Sequence, residues 1–296
     1  MTILITGGTG TVGKAVVARL REQEDVAEIR IMTRNTQKPA PAGIVAVPGD
    51  LSDPDAVESA LRGVRTLFLL VPNVADELTQ ALLALDAAQS AGIERIVYLS
   101  VFNSELFDDV PHYASKYLVE RAIERRGLGA TILRPNYFMQ NDLRLAEALR
   151  GPGLYGMPVG TRGISMVDVR DIAEAAAIEL MRRHRSDDRL PAERFDLVGP
   201  DVLNGDALAE IWGEVLGRTI RYGGDDLAGL EGRLRAVAPA WFARDMRLMM
   251  RRYQQDGAST SPDGVERLSR LLGRLPRSYR DFAIETARTW TPEKAI

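Results

Sequence analysis

The amino-acid sequence predicts an α/β protein built on a doubly wound parallel sheet. Short apolar segments alternate with amphipathic helical segments from the first residues to about Val198, which is the pattern of repeated strand, helix, strand units. The run Thr66 to Val71 is almost continuously apolar, as in a strand that is buried on both faces of a parallel sheet. The crossovers should be right-handed, and ligands should bind at the carboxyl ends of the strands.

The elements follow from local patterns. Strands are predicted where β-branched and other apolar residues lie between turn-forming residues; they are Ile3 to Ile5, Glu28 to Met32, Ile44 to Val47, Thr66 to Val71, Arg95 to Ser100, Ala130 to Arg134 and Phe195 to Val198. Helices are predicted where apolar residues recur every three or four positions between capping and glycine signals. They are 12–20, 52–62 with Ser52 as N-cap, 75–91, 112–126, one that starts near Asp168 or Asp171, 205–216, 239–253, 264–272 and 278–290.

The composition excludes several classes of function. The 296 residues carry a net charge of −3, which gives no electrostatic reason to expect a nucleic acid or an anionic membrane as partner. The chain has no cysteine and only two histidines, so disulfides, thiolate metal sites and histidine-rich zinc sites are excluded. No apolar run approaches the ~18 residues of a membrane span. We expect a cytoplasmic protein.

The first twenty residues contain the most informative motif. An apolar strand is followed by glycines at Gly7, Gly10 and Gly13 and then by an amphipathic helix. Glycine allows the tight turn, the approach of backbone N–H groups to a pyrophosphate and close packing of helix on strand, and the helix N-terminus attracts the anion. This context predicts a dinucleotide site of the Rossmann type. Its predicted contacts are Gly7, Thr9, Gly10, Thr11, Val12 and Gly13.

The end of the second strand indicates which dinucleotide is bound. A Rossmann protein that prefers NAD(H) places an acidic residue there for the ribose 2′-hydroxyl. This chain has Arg34, with Lys38 four residues later, and both cations suit a 2′-phosphate. NADP(H) is therefore favoured over NAD(H). The alternative is that Arg34 is a solvated loop arginine.

Motifs along the whole chain give a family resemblance. They are the glycine pattern, Thr33-Arg34, Gly49-Asp50-Leu51, His112 and Glu120 four residues either side of Lys116, Leu133-Arg134-Pro135-Asn136-Tyr137-Phe138, the segment 167–172 and the segment 216–218. Together they resemble the NmrA-like family of atypical short-chain dehydrogenase/reductases. The resemblance implies an NAD(P)-binding Rossmann fold.

The resemblance also suggests further contacts with the cofactor. Asp50 and Leu51 are similar to the pair that meets the adenine edge, although Asp50 is almost as well explained as a residue that leads into a helix. Val71, Pro72 and Asn73 end the fourth strand, where the backbone should turn over the cofactor. Past the sixth strand, Tyr137 and Phe138 are predicted to flank the nicotinamide, and Asn136 to offer a polar contact.

The helix after the fifth strand carries the predicted catalytic residues, Lys116 and His112. Typical short-chain reductases use a Tyr-x-x-x-Lys pair, in which lysine holds the nicotinamide ribose and tyrosine donates a proton. Here His112 stands four residues before Lys116, and Tyr113 is about 100° round the helix from His112. Lys116 is one of only four lysines, which supports a specific role. His112 either donates a proton or caps the helix, and Ser100 takes the place of the usual serine.

The change in the pattern of strands and helices along the sequence also predicts a division of the chain into two regions. Residues 1–135, rejoined by about 171–198, should form the dinucleotide-binding domain, and 136–170 with 199–296 a smaller, mostly helical substrate-binding region. In the latter, Phe242, Met246, Met249 and Tyr253 form a helical stripe, read as core or alternatively as a flexible wall for an apolar substrate. Arginines on another face of that helix are read as solvated.

These observations leave two hypotheses for the function. The first is an NADPH-dependent reductase that transfers hydride to a small, apolar, electron-poor acceptor such as a quinone or enone, whose stabilised anion does not need the missing tyrosine acid. The second is a non-catalytic NADP(H)-sensing regulator that reports to a protein partner. No metal is expected in either case.

Overall fold

The structure of the protein, a computed structural model, describes residues 2–23, 28–37 and 40–290. Lys38, one of the predicted phosphate contacts, lies outside the described residues. The chain divides into two compact units. The first consists of Met1–Pro135 and Val169–Asp196, and the second of Asn136–Asp168 and Leu197–Ile296.

The secondary structure alternates as the sequence predicts. The strands are β1 Thr2–Ile5, β2 Glu28–Thr33, β3 Ile44–Pro48, β4 Val64–Leu69, β5 Arg95–Leu99, β6 Thr131–Pro135, β7 Leu154–Tyr155, β8 Glu193–Leu197 and β9 Arg221–Tyr222. The helices are α1 Thr11–Arg21, α2 Pro54–Leu61, α3 Glu77–Ser90, α4 Pro111–Arg125, α5 Ala146–Arg150, α6 Val169–Arg185, α7 Gly205–Leu216, α8 Leu227–Arg235, α9 Ala240–Asp256, α10 Pro262–Leu272 and α11 Tyr279–Trp290, with a 3₁₀ helix at Met139–Leu145.

The first unit is a sheet of seven strands in the order β3, β2, β1, β4, β5, β6, β8. The pairings of β1 with β2 and β4, of β2 with β3, and of β5 with β4 and β6 are parallel. Helices α2, α3 and α4 pack an apolar cluster onto one face of the sheet, while α1 and α6 pack together and α6 contacts β4, β5 and β6. The predicted doubly wound α/β fold is thus confirmed. The order of strands reverses between β1 and β4, which is where such sheets bind ligands.

Three element boundaries differ from the predictions for local reasons. Ser52 is not the N-cap of α2; Asp53 caps the helix, because its carboxylate accepts the N–H groups of Asp55 and Ala56. β4 ends at Leu69 because the Thr6 hydroxyl accepts the N–H of Leu70 at 2.8 Å, in place of a strand partner. The helix predicted from Ala75 begins only at Glu77.

The second unit contains elements that the sequence analysis missed: the 3₁₀ helix, α5, α8, and the parallel pair of β7 with β9. Its core includes a hydrogen-bonded group of buried side chains. The Oδ2 atom of Asp142 accepts from the hydroxyls of Tyr155 at 2.9 Å and Tyr279 at 2.5 Å, and Trp212 donates its indole N–H to Tyr279 at 2.8 Å.

Two of the α9 arginines that the sequence analysis interprets as solvated also form ion pairs, and their side chains are 51% (Arg244) and 36% (Arg247) exposed. Glu231 of α8 lies 3.1 Å from Arg244 and 2.8 Å from Arg247, so these side chains join α8 to α9. In the apolar stripe of α9, Met249 and Tyr253 are buried. Within the described ranges, no helix combines the length and the apolar character that a membrane span requires.

Candidate functional site

The glycine loop between β1 and α1 has the geometry that the motif requires. Gly7 has φ +63°, a conformation that favours glycine, and a side chain there would collide with Leu70. A Cβ at Gly13 would collide with the carbonyl oxygen of Gly7. Gly8, which the sequence analysis did not single out, lies so close to Ile31 that a Cβ would also collide. These three glycines are therefore required by the packing of the loop itself.

Gly10 differs from the other glycines of the loop. Its φ of −81° and ψ of 178° suit any residue, and a Cβ there would meet only the Gly7 carbonyl oxygen, at 3.4 Å. Gly10 is also exposed, as are Thr9 and Thr11. The packing of the first unit therefore does not require a glycine at position 10 and leaves the backbone there accessible.

The N-terminus of α1 is suited to an anion. Gly10 is the N-cap and offers no side chain to the first N–H groups of the helix, and the first turn holds no acidic residue. The first N–H groups of a helix have no partners within the helix and lie at its positive dipole end. With the open space at Gly10, this arrangement suits a pyrophosphate.

A threonine that the sequence analysis missed fixes the loop. Thr6 is buried, and its hydroxyl bonds the carbonyl oxygens of Phe68 at 3.2 Å and Leu70 at 2.8 Å. The end of β1 is thereby tied to the end of β4, at the point where the strand order reverses. The signal in the sequence was a polar residue directly after a buried strand.

Arg34 and Asp50 follow the neighbouring strands β2 and β3. Arg34 is 82% exposed, and its guanidinium lies 4.0 Å from the Asp50 carboxylate. The other oxygen of Asp50 accepts the N–H and the hydroxyl of Ser52 at 3.0 and 2.8 Å, and these bonds, with a smaller effect of Arg34, lower the pKa of Asp50. Asp50 therefore does lead into α2, as the alternative interpretation held. Arg34 leaves most of its charge open to a ligand.

The remaining predicted contacts of the first unit lie along the same edge of the sheet. Leu51 is buried in the apolar cluster under α2 and α3, and Val71 belongs to the same cluster. Pro72 is exposed and Asn73 half-buried in the loop that joins β4 to α3. The topology therefore brings these loops together with the glycine loop at the carboxyl ends of adjacent strands.

Ser100 directs its hydroxyl to a buried carboxylate. It donates to Glu120, which also accepts from Ser104 at 3.2 Å and from Arg134, whose Nη2 lies 2.5 Å from Oε2. Glu120 is 1% exposed. Arg194 also approaches it, to 3.7 Å, so this buried carboxylate has four polar partners. This network fixes the end of β5 against α4 and β6. Ser100 as a cofactor contact stays a prediction.

Lys116 pairs with a residue that the sequence analysis did not consider. Its Nζ atom lies 2.7 Å from Oε1 of Glu77, the first residue of α3, and the two side chains are 12% and 3% exposed. The ring of Tyr98 lies 6.0 Å from the same Nζ atom, within the range of a cation–π contact. Burial, reinforced by Glu77 and Glu120, holds the pKa of Tyr98 well above its usual range. Tyr98 is thus a neutral wall of the lysine site.

His112 lies in the first turn of α4, but the helix is not capped by it. The N-cap is Val110, with no side-chain bond to the helix, and Pro111 occupies the first helical position. The ring of His112 is half-buried and contacts the ring of Tyr113 edge-on at 4.7 Å. Tyr113 is itself buried and packs on Phe107 at 5.2 Å. The capping alternative is therefore wrong, and His112 as a proton donor stays a prediction.

Asn136, Tyr137 and Phe138 belong to the second unit. Asn136 is buried and donates its amide to the carbonyl of Ala258 at 2.6 Å, while its own oxygen accepts the N–H of Tyr137. Tyr137 packs edge-on against Tyr253 at 6.1 Å. Burial, followed by the effect of Asp142 and Tyr253, raises the pKa of Tyr137 well above its usual range. Tyr137 as a residue that flanks the nicotinamide stays a prediction.

Comparison with known proteins places this arrangement in a family. Residues 1–255 match the model of the NmrA-like family. An NAD(P)H azoreductase from Xenophilus azovorans is 31% identical over 225 residues, which cover 74% of this chain and 76% of that protein. A (4-alkanoyl-5-oxo-2,5-dihydrofuran-3-yl)methyl phosphate reductase from Streptomyces griseus is 29% identical over 294 residues, 98% of this chain and 100% of that protein.

A solved structure supports the fold. An NADPH-dependent quinone oxidoreductase from Escherichia coli, crystallised with NADPH, superposes with a TM-score of 0.84 at 23% identity and covers 98% of this chain and 100% of its own. At that identity the likeness shows the fold alone. With the match of the family model over most of the sequence, the chain belongs to the NmrA-like family.

Proposed function

We propose that the protein is an NADPH-dependent reductase that transfers hydride to a small, electron-poor acceptor. The observation that carries the proposal is the exposed backbone at Gly10, where a side chain would meet almost nothing of the first unit. NADPH, when bound, supplies the hydride. The chain supplies the N–H groups at the start of α1 for the pyrophosphate and a lysine ammonium for the nicotinamide ribose.

The preference for NADPH over NADH rests on Arg34. It follows β2, where the adenosine ribose of a Rossmann ligand lies, and its side chain is 82% exposed. Its only ion pair among the described contacts is at the long distance of 4.0 Å. A 2′-phosphate can therefore bind the guanidinium without breaking a strong interaction.

The class of acceptor follows from the residues near Lys116. Tyr113 is buried, and burial raises the pKa of Tyr98 so that its hydroxyl gives up its proton less readily, which makes both poor acids for reduction of a simple ketone. An acceptor whose reduced anion is stabilised can take its proton from water or from a weak acid such as His112. The names of the relatives support this class, since an azo bond and an alkanoyl-substituted oxo-dihydrofuran are both electron-poor.

A turnover assay tests the proposal. The purified protein is mixed with NADPH and, separately, with a quinone, an azo dye, a conjugated enone and a simple ketone, and the loss of reduced nicotinamide absorbance is followed. We expect turnover with at least one of the first three acceptors and none with the ketone. Turnover of the ketone alone would contradict the assignment of the acceptor class.

The second candidate function, NADP(H) sensing, is tested by the same turnover assay together with measurements of NADPH binding and of partner retention. Tight binding of NADPH, with no turnover of any acceptor and with a protein partner retained in only one redox state, would favour the sensor. Turnover of an electron-poor acceptor favours the reductase.

A further inference from the structure

We propose that Glu77 is a positioning residue that holds the ammonium of Lys116 at the carboxyl ends of β4 and β5. The second half of this inference, that the ammonium is held there for the dinucleotide, rests on the proposed function. Glu77 is not part of any motif that the sequence analysis recognised. It is the first residue of α3 and follows the loop Val71 to Asp76, which itself follows β4.

The burial of Glu77 is the first argument. Its side chain is 3% exposed, and its partner Lys116 is 12% exposed, so both charges have been largely removed from water. A buried ion pair recovers its desolvation cost only with good geometry and additional hydrogen bonds. Neither oxygen of Glu77 has a hydrogen bond of regular geometry to a described residue, although Oε1 lies 2.7 Å from Nζ of Lys116. Stabilisation of the fold alone is thus a poor explanation for this ion pair.

Glu120, a buried glutamate in the same unit with a structural role, provides a comparison for Glu77. It accepts hydrogen bonds from Ser100, Ser104 and Arg134, and it ties three elements together. Glu77 has none of these partners. Its Oε2 atom is buried without a hydrogen bond among the described residues. The only polar partner of the Glu77 side chain among the described contacts is therefore Lys116.

The composition of the chain gives the second argument. The sequence uses arginine for all but four of its 38 basic residues. An arginine at position 116 would carry the same charge, but it would present a broad planar fork rather than a compact ammonium. The compact ammonium lies 2.7 Å from Oε1 of Glu77 and 6.0 Å from the centre of the Tyr98 ring. Glu77 thereby fixes where that charge lies and keeps it available as a hydrogen-bond donor to a ribose hydroxyl.

Chemical reactivity of the lysines tests the ion pair without any cofactor. The ligand-free protein is treated with a trace of acetic anhydride, and the acetylation of Lys116 is measured by mass spectrometry relative to that of Lys14, which is exposed on α1. We expect Glu77→Gln to raise the relative rate at Lys116 about tenfold, because removing one partner of a buried pair leaves the other charge uncompensated. An unchanged rate at Lys116 would overturn the proposal.

Glu179→Gln is the matched control. Glu179 is also buried in the first unit, but it bonds Thr131 at 2.6 Å and Arg182 at 2.7 Å, near the amino end of β6. This variant should lower stability and leave the reactivity of Lys116 as it is. A rise at Lys116 in both variants would show a general loosening of the fold and would count against the proposal.

Affinity for NADPH tests the functional half. We expect Glu77→Gln and Lys116→Met each to raise the dissociation constant about tenfold, and the double variant to raise it no further than Lys116→Met alone. Fully additive effects would overturn the proposal, because Glu77 would then act independently of the lysine. If the wild-type protein binds no NADPH, the proposed function fails, and the acetylation result alone decides whether Glu77 holds Lys116.

The double variant also covers a failure of Glu77→Gln to fold. Removing both charges of a buried pair is far less destabilising than removing one. A double variant that folds where Glu77→Gln does not supports the pairing, and a double variant that also fails to fold contradicts it.

Discussion

Gly10, the N-cap of α1, and Gly13, in the first turn of that helix, are glycines for different reasons. At Gly13 the packing of α1 on the loop leaves no room for a side chain. At Gly10 the protein itself leaves room, and the backbone conformation is ordinary. Sequence spacing alone predicts both positions, whereas only the structure shows which of them the packing of the fold requires.

The two alanine variants should therefore separate stability from binding. Gly13→Ala should destabilise the fold by about 1–3 kcal/mol, the typical effect of overpacking, and it should lower the midpoint of thermal unfolding. Gly10→Ala should change that midpoint little and weaken NADPH binding at least about tenfold, since the added methyl group stands between the backbone and the pyrophosphate. Full NADPH affinity in Gly10→Ala would remove the loop from the site.

Arg34 carries the second prediction at this scale. Arg34→Gln removes a charge-assisted hydrogen bond of about 1.5–3 kcal/mol, so the dissociation constant for NADPH should rise about tenfold or more. The constant for NADH should not change, because NADH has no 2′-phosphate. Arg21→Gln, at the other end of α1, changes the net charge equally and serves as the control. Equal weakening of both cofactors by Arg34→Gln would contradict the phosphate role.

At the scale of elements, the predictable parts are those with strong local signals. The strands of the large sheet and the long helices α3, α4, α7 and α11 were located within two residues at each end, because apolar periodicity and turn residues mark them. α8 was missed because Gly229 and Gly232 lower its helix propensity. It forms because Asp226 caps it and Glu231 binds arginines of α8 and α9, contacts that no local pattern reveals.

The 3₁₀ helix, β7 and α11 meet at Asp142, and this gives a prediction for pH. Burial raises the pKa of Asp142 from its ordinary value of 3.8 to about 7. Between pH 3.8 and about pH 7, Asp142 carries a proton in the folded protein but not in the unfolded chain. Its contribution to the free energy of unfolding therefore falls as the pH rises through this range. Above about pH 7 the contribution is constant. The fall amounts to about 4 kcal/mol, at 1.36 kcal/mol per pKa unit.

Denaturant unfolding of Asp142→Asn at several pH values checks this sign. The variant keeps an oxygen that accepts from Tyr155 and Tyr279, but it cannot ionise. Its stability relative to the wild type should therefore increase from pH 4 to pH 7 and then level off. Asp263→Asn, an exposed position in the first turn of α10, should show no such trend. A difference between Asp142→Asn and wild type that does not depend on pH would show that Asp142 is ionised throughout.

At the scale of the whole molecule, the fold class and the edge of the sheet that carries the site could be predicted from the sequence. Parallel strands place their carboxyl ends together, so residues that follow successive strands become neighbours without any knowledge of side chains. The ion pair of Lys116 could not be predicted in this way. Glu77 precedes Lys116 by 39 residues on another helix, and their approach depends on how α3 and α4 pack. The same holds for Ser100, whose partner Glu120 was noted only for its spacing from Lys116.

Calorimetric titration of the wild-type protein with NADPH, and then with NADH, tests the central claim most directly. The glycine loop, the start of α1 and Arg34 together predict saturable binding of both dinucleotides, with the smaller dissociation constant for NADPH. Absence of binding for both would contradict the assignment of this edge of the sheet as a dinucleotide site, and with it the proposed reductase.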